Sequence, residues 1–135
     1  MTQEKLEQVY YLNNELEMWK ERRKELHLSI TTQAKVLDGM PVSKTNSVRK
    51  PVEDAAVRIS SKLEKIDKKI SKLMTKIELT KIQIEEFIIT INDSKMRQIL
   101  EYRCVQNLTW REIGKKMNYD YAWCRKKYIR FLKKL

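Results

Sequence analysis

VEDAAVRISSKLEKIDKKISKLMTKIELTKIQIEEFIITI, residues 52–91, sets the fold class. Val52, Ala56, Ile59, Leu63, Ile66, Ile70, Leu73, Ile77, Thr80, Ile84, Phe87 and Ile91 follow one another at alternating steps of three and four, the rhythm of a helix that packs along a seam. Forty such residues at a rise of about 1.5 Å each would make a rod of about 60 Å. A helix of that length needs partners along its course. Leu79, Ile82, Ile88 and Ile89 fall off the seam, so the last turns are apolar on more than one face, as at an interface.

Upstream, Val9, Leu12, Leu16, Trp19, Leu26 and Ile30 repeat the same rhythm, interrupted only by Arg23, while Glu15, Glu17, Lys20, Glu21, Lys24 and Glu25 make a mixed-charge solvated face. The expected architecture is all-α: a long antiparallel helical hairpin over residues 1–91 that dimerises as a coiled coil or four-helix bundle. Oligomerisation is assigned to Leu63, Ile66, Ile70, Leu73, Ile77 and Ile84. Residues 32–51 hold both prolines and one of the two glycines, Gly39, and are expected to form a flexible loop, since proline lacks an amide donor and glycine ends helices. Lys44, Arg49 and Lys50 in it either touch DNA or are solvated. The same two readings apply to Lys62, Lys65, Lys68, Lys69, Lys72 and Lys76: a second nucleic-acid surface or a solvated helix face.

Charge separates the C-terminal part from the rest. Residues 92–135 carry 12 Lys or Arg against 4 Asp or Glu, and so hold +8 of the net +11. A segment that lies against phosphates concentrates positive charge in this way. Asn92, Asp93 and Ser94 form a capping cluster before a helix expected over about 95–106. Thr109 and Glu112 then have the spacing of a capping box that opens a second helix with Trp110, Ile113 and Met117 inward. Gly114, inside that helix, costs about 1 kcal/mol against alanine, which implies that another group passes close by. Asn118 suits the turn and Asp120 the cap of the last helix, with Tyr121, Cys124, Tyr128, Phe131 or Leu132, and Leu135 facing inward. Tyr119 is expected beneath the two helices.

MRQILEYRCVQNLTWREIGKKMNYDYAWCRKKYIRFLKKL, residues 96–135, resembles the promoter-reading fourth region of bacterial sigma factors: Arg97, Ile99-Leu100 and Arg103, then Leu108-Thr109, Glu112-Ile113-Gly114 and Met117, a short turn, and a basic helix ending in Leu132 and Leu135. The other sigma regions have no room in 135 residues. The layout as a whole is similar to small phage-encoded regulators of the ArpU and RinA type, which implies a helix-turn-helix domain at 92–135 and a role in late-gene transcription. Carried over by position, the base-reading side chains fall on Tyr121, Ala122, Arg125 and Lys126. The pattern departs at Tyr121 and Ala122, where sigma factors usually carry Arg and Glu.

Arg125 can pair with O6 and N7 of guanine in the major groove and Lys126 can reach a base edge or a phosphate. Arg111, Lys115, Lys116, Arg130, Lys133 and Lys134 are assigned to phosphates. Tyr121 is turned inward by periodicity and outward by the resemblance. Trp123 either contacts DNA or packs against the long helix. The expected partners are double-stranded DNA, a second copy of the chain and RNA polymerase; the alternative function is the DNA-recognition small subunit of a phage packaging terminase. One His, two isolated Cys and no glycine-rich phosphate loop argue against a zinc site and against an enzyme, and no cofactor is expected. With no apolar signal region and no membrane span, the expected location is the cytoplasm of a bacterial host.

Overall fold

The computed structural model describes residues 1–39 and 49–135, with side-chain surroundings for 1–32 and 53–135. Every regular element among these is helical: α1 (Gln3–Gly39), α2 (Arg49–Ile89), α3 (Ser94–Leu100), a π-helical turn (Glu101–Val105), α4 (Trp110–Met117) and α5 (Tyr121–Lys133). No helix among the described residues is long and apolar enough to cross a membrane.

The connection differs from the expected 32–51. Residues 32–39 continue α1 and residues 49–51 belong to α2. α1 continues through Thr31 and Thr32, whose hydroxyls donate back to the carbonyls of His27 (3.0 Å) and Leu28 (2.8 Å) and so are satisfied within the helix. Pro51 falls in the first turn of α2, where a missing amide forfeits no intrahelical bond. The rest of the expected loop, Lys44 included, lies outside the described residues.

The chain divides into two compact units, Glu15–Met74 and Met1–Asn14 with Thr75–Leu135. In the first, Leu16 and Leu26 of α1 are buried together with Ile66 and Leu73 of α2, while Trp19, Leu63 and Ile70 are half-buried. Arg23 Nε meets Asp67 Oδ1 at 2.6 Å and Lys69 Nζ lies 4.4 Å from the centre of the Trp19 ring. Rising numbers on α1 meet falling numbers on α2, so the helices run antiparallel here. Arg23, the break in the apolar series, is thereby accounted for: it pairs its charge with the facing helix.

The second unit places the ends of both long helices with the C-terminal helices, so the expected boundary at 91/92 falls inside it. Leu6, Val9 and Leu12 of α1 and Ile77, Ile84 and Ile88 of α2 are buried in it with Met96, Ile99, Leu100, Cys104, Val105, Ile113, Cys124 and Tyr128. Thr80, the one polar position of the seam, is buried too and satisfies its hydroxyl on the Lys76 carbonyl at 2.7 Å. The residues assigned to oligomerisation are placed as follows. Ile66, Leu73, Ile77 and Ile84 are buried within the single chain, while Leu63 and Ile70 are half-buried. Leu79, Ile82 and Ile89 do face out, at 57%, 49% and 79% exposure, whereas Ile88, grouped with them by position, is buried.

Candidate nucleic-acid interface

The basic C-terminal region is assembled by caps that can be followed residue by residue. Asp93 stops the chain in extended geometry and accepts from the amides of Lys95 (3.0 Å) and Met96 (3.4 Å), opening α3. Arg97 donates to the carbonyls of Ile91 (2.7 Å) and Asn92 (3.2 Å), closing the exit from α2. The helix expected over 95–106 widens after Leu100 into the π turn, whose end is marked by the Gln106 amide on the Glu101 carbonyl at 3.1 Å. Asn107 then takes left-handed geometry (φ 55°) and the chain leaves the helix, as expected at this position.

Thr109 and Glu112 form the capping box. The Glu112 amide donates to the Thr109 hydroxyl at 3.3 Å and the Thr109 amide donates to the Glu112 carboxylate at 3.0 Å. At the far end of α4, Asn118 sits in the left-handed region (φ 56°, ψ 38°) and its amide returns to the last carbonyls. Asp120 caps α5 through the Ala122 amide at 3.4 Å. Three residues therefore reverse the chain between α4 and α5. At Gly114 a Cβ would lie 2.9 Å from the Tyr119 carbonyl oxygen and 3.1 and 3.2 Å from the Tyr121 N and Cα. The close neighbour implied by the glycine is thus the backbone of that turn.

Beneath, Ile113 and Cys124 are fully buried, Tyr128 nearly so, and Trp110 and Met117 half-buried. The Trp110 and Tyr128 rings lie 5.2 Å apart and the Tyr128 hydroxyl is 3.8 Å from Cys104 Sγ. Burial pushes the Cys104 thiol up to about 11 and raises Cys124 as well, so both stay protonated at neutral pH and serve as small apolar core residues. Among the described residues no cluster of His, Cys, Asp and Glu has a metal-holding arrangement.

Two inward expectations are corrected. Tyr121 is 48% exposed, because the contact with α4 is made by its backbone against Gly114 and its ring has no place there. Leu135 is exposed because α5 ends at Lys133 and helical periodicity no longer governs it. Phe131, half-buried, meets Phe87 of α2 at 6.3 Å.

Tyr119 is also corrected. It lies outside rather than beneath the helices, stacked on Trp123 with ring centres 4.5 Å apart and planes 22° apart. Lys95 Nζ is 5.0 Å from the Tyr119 ring and Lys127 Nζ is 5.3 Å from Trp123. Trp123 therefore packs on the turn, keeping about a third of its surface exposed.

Pairing sorts the cations. Lys127 is taken by Asp93 at 2.6 Å, which also holds that carboxyl below its usual range. Arg103 donates to the Leu108 carbonyl at 3.1 Å and lies 4.7 Å from the Trp110 ring. Lys116 rests 5.2 Å from the Tyr102 ring. Three of the four acids are occupied by caps or by Lys127, so Arg111, Lys115, Arg125, Lys126, Arg130, Lys133 and Lys134 stand exposed with no carboxylate partner among the described residues. Arg111, Lys115, Asn118, Tyr119 and Tyr121 line an open cleft of about 650 Å³ along the α4–α5 turn. Of the four assigned base readers, Tyr121, Arg125 and Lys126 are exposed and Ala122 is half-buried. The roles of Lys95, Arg97, Arg103 and Lys127 were missed by sequence reasoning; only the Asp93 cap gave a local signal near them.

The family model for a protein of unknown function (DUF722) matches residues 4–135, from the first turn of α1 to the last residue. The chain belongs to the DUF722 family. No curated protein and no solved structure matches it. The DUF722 match takes in the long helices and the basic C-terminal helices together.

Proposed function

We propose that this DUF722 protein binds double-stranded DNA sequence-specifically, with α4 and α5 acting as a helix-turn-helix and α5 as the recognition helix, and that it regulates phage late-gene transcription as a homodimer in the host cytoplasm. The observation that carries the reading is the sorting of charge. Three of the four acids in residues 92–135 are occupied by caps or by Lys127, whereas α4, α5 and the cap residue Lys134 keep seven exposed cations with neither a carboxylate nor a ring partner among the described residues. Such a surface attracts phosphates, and counterion release makes that attraction salt-dependent.

In this reading Arg125 and Lys126 enter the major groove with Tyr121 beside them, and Arg111, Lys115, Arg130, Lys133 and Lys134 fix register on phosphates. Lys116 contributes less, because its ammonium is engaged by Tyr102. The resemblance to a sigma region supports a contact with RNA polymerase as well. Selecting bound fragments from the parent genome tests the proposal: enrichment beside promoters is expected, and recovery of random fragments only would overturn it.

A second reading, the small subunit of a packaging terminase, draws on the exposed Leu79, Ile82 and Ile89, which suit a multi-subunit assembly. Mass in solution separates the two. A dimer is expected for the regulator, while a ring of many copies with enrichment at a packaging start would favour the terminase.

A further inference from the structure

Along α2, Arg58, Lys62, Lys65, Lys69 and Lys72 follow at intervals of four, three, four and three residues. All five lie within Glu15–Met74, all are exposed, and none has a carboxylate partner among the described residues. At about 100° per residue they occupy one narrow sector of the helix, beside the seam of Leu63, Ile66, Ile70 and Leu73. The acids lie elsewhere. Glu64 and Asp67 fall on the opposite flank of the seam, and Asp67 is engaged by Arg23. Asp54, one turn before Arg58, closes the row on its N-terminal side. The row is about 21 Å long with one cation per about 5 Å.

A solvated face of a long helix ordinarily mixes signs, because i,i+4 pairs of opposite charge stabilise it and like charges at that spacing oppose it. Here Arg58 and Lys62, Lys65 and Lys69, and Lys68 and Lys72 are like-charged pairs at that spacing, an arrangement that costs helix stability unless a polyanion neutralises it. One DNA strand offers a phosphate about every 3.4 Å of axis, so a 21 Å row spans about six phosphates.

We propose that this row is a second, sequence-independent binding surface for the phosphate backbone of duplex DNA, separate from α5. It does not depend on α5 reading bases.

The test measures binding of the full chain to a labelled random-sequence duplex over a range of salt concentrations. The variant carries Arg58→Gln, Lys62→Gln, Lys65→Gln and Lys72→Gln; Lys69 is kept because it lies over Trp19. Glutamine matches lysine as a helix former, and far-ultraviolet circular dichroism checks that helicity is retained. The slope of log affinity against log salt should shrink by about 0.9 for each phosphate that the variant leaves unneutralised, up to roughly 3.6 for four. A companion with Lys62, Lys65 and Lys72 changed to Arg should keep the parental slope.

An unchanged slope in the glutamine variant overturns the proposal. A fall in solution mass with unchanged slope also overturns it, and assigns the row to contact between copies. Equal losses in the Arg and Gln variants overturn it too, since charge would then not be the determinant. Arg125→Ala, measured in parallel, separates the two surfaces: if it leaves selected sites unaffected while the row variant loses slope, the α5 reading fails and the row stands.

Discussion

Gly114 carries the tightest constraint on a single residue. A methyl group there meets the Tyr119 carbonyl oxygen at 2.9 Å and the Tyr121 backbone at 3.1 and 3.2 Å, and backbone atoms in a three-residue turn have little freedom to withdraw. Overpacking of this kind costs about 1 to 3 kcal/mol, against a helix-propensity gain of about 1 kcal/mol. Gly114→Ala should therefore lower the melting temperature; an equal or higher value would show that the turn yields. Under the proposed function, Arg125 is the residue on which base reading would depend. Its replacement by alanine should cost about 1 to 3 kcal/mol of discrimination at one base position, seen as a relaxed preference there in competition binding. Equal losses on specific and random duplexes would move Arg125 to the phosphate set. Cys104 and Cys124 are buried, and Cys104 stays a thiol up to about pH 11, so slow labelling by thiol reagents in the folded state is expected.

Between elements, Asp93 joins the start of α3 to α5. It caps α3 through two amides and binds Lys127 at 2.6 Å, with the Lys127 ammonium the main cause of its lowered pKa. The sign follows from the direction of the shift. A carboxyl more acidic in the folded state stabilises fully above its unfolded value of about 3.9, and that stabilisation is lost as pH falls through the folded value. Asp93→Asn keeps a capping oxygen and loses the charge. In denaturation measured from pH 7 down to pH 2.5 it should be slightly less stable than the parent at neutral pH, with the difference shrinking as pH falls below about 4. The half-exposed partners keep that difference small. Asp93→Ala also removes the cap and should cost about 0.5 to 2 kcal/mol. The seam of α2 behaves as core: Ile77, 3% exposed, changed to Asp should unfold the chain and not merely dissociate copies. Changes at Leu79, Ile82 and Ile89 are the ones that test association.

At the scale of the whole chain, a net charge of +11, of which residues 92–135 hold +8, predicts that the proposed DNA binding weakens steeply with salt, read as a linear loss of log affinity. Leu79→Lys, Ile82→Lys and Ile89→Lys together should leave the fold intact, because those side chains are half exposed or more, and should reduce the solution mass to that of one chain. A mass unchanged by the triple variant would remove this stripe from the interface.

Periodicity determined that the chain is helical and most of the residues of α1 and α2 that turn inward, though not Leu6 or Ile88, and the cap residues marked where α3, α4 and α5 begin. These are local matters: side-chain spacing repeats with the helix, and caps such as Asp93, Thr109 and Asp120 act within three residues of themselves. Gly114 was legible for the same reason, since a helix accepts the cost of glycine only where something crowds it. Tertiary structure decided what periodicity leaves degenerate. An apolar seam reads the same whether it is covered by its own chain or by another copy, and only the antiparallel contacts of Arg23 with Asp67 and Lys69 with Trp19, with the burial of Ile66 and Leu73, assign it inward. A lysine likewise reads the same whether paired or free. Lys127 is held by Asp93, distant in sequence, while Arg125 beside it is left open to solvent; long-range geometry made that distinction, and the candidate interface consists of the cations it left unpaired.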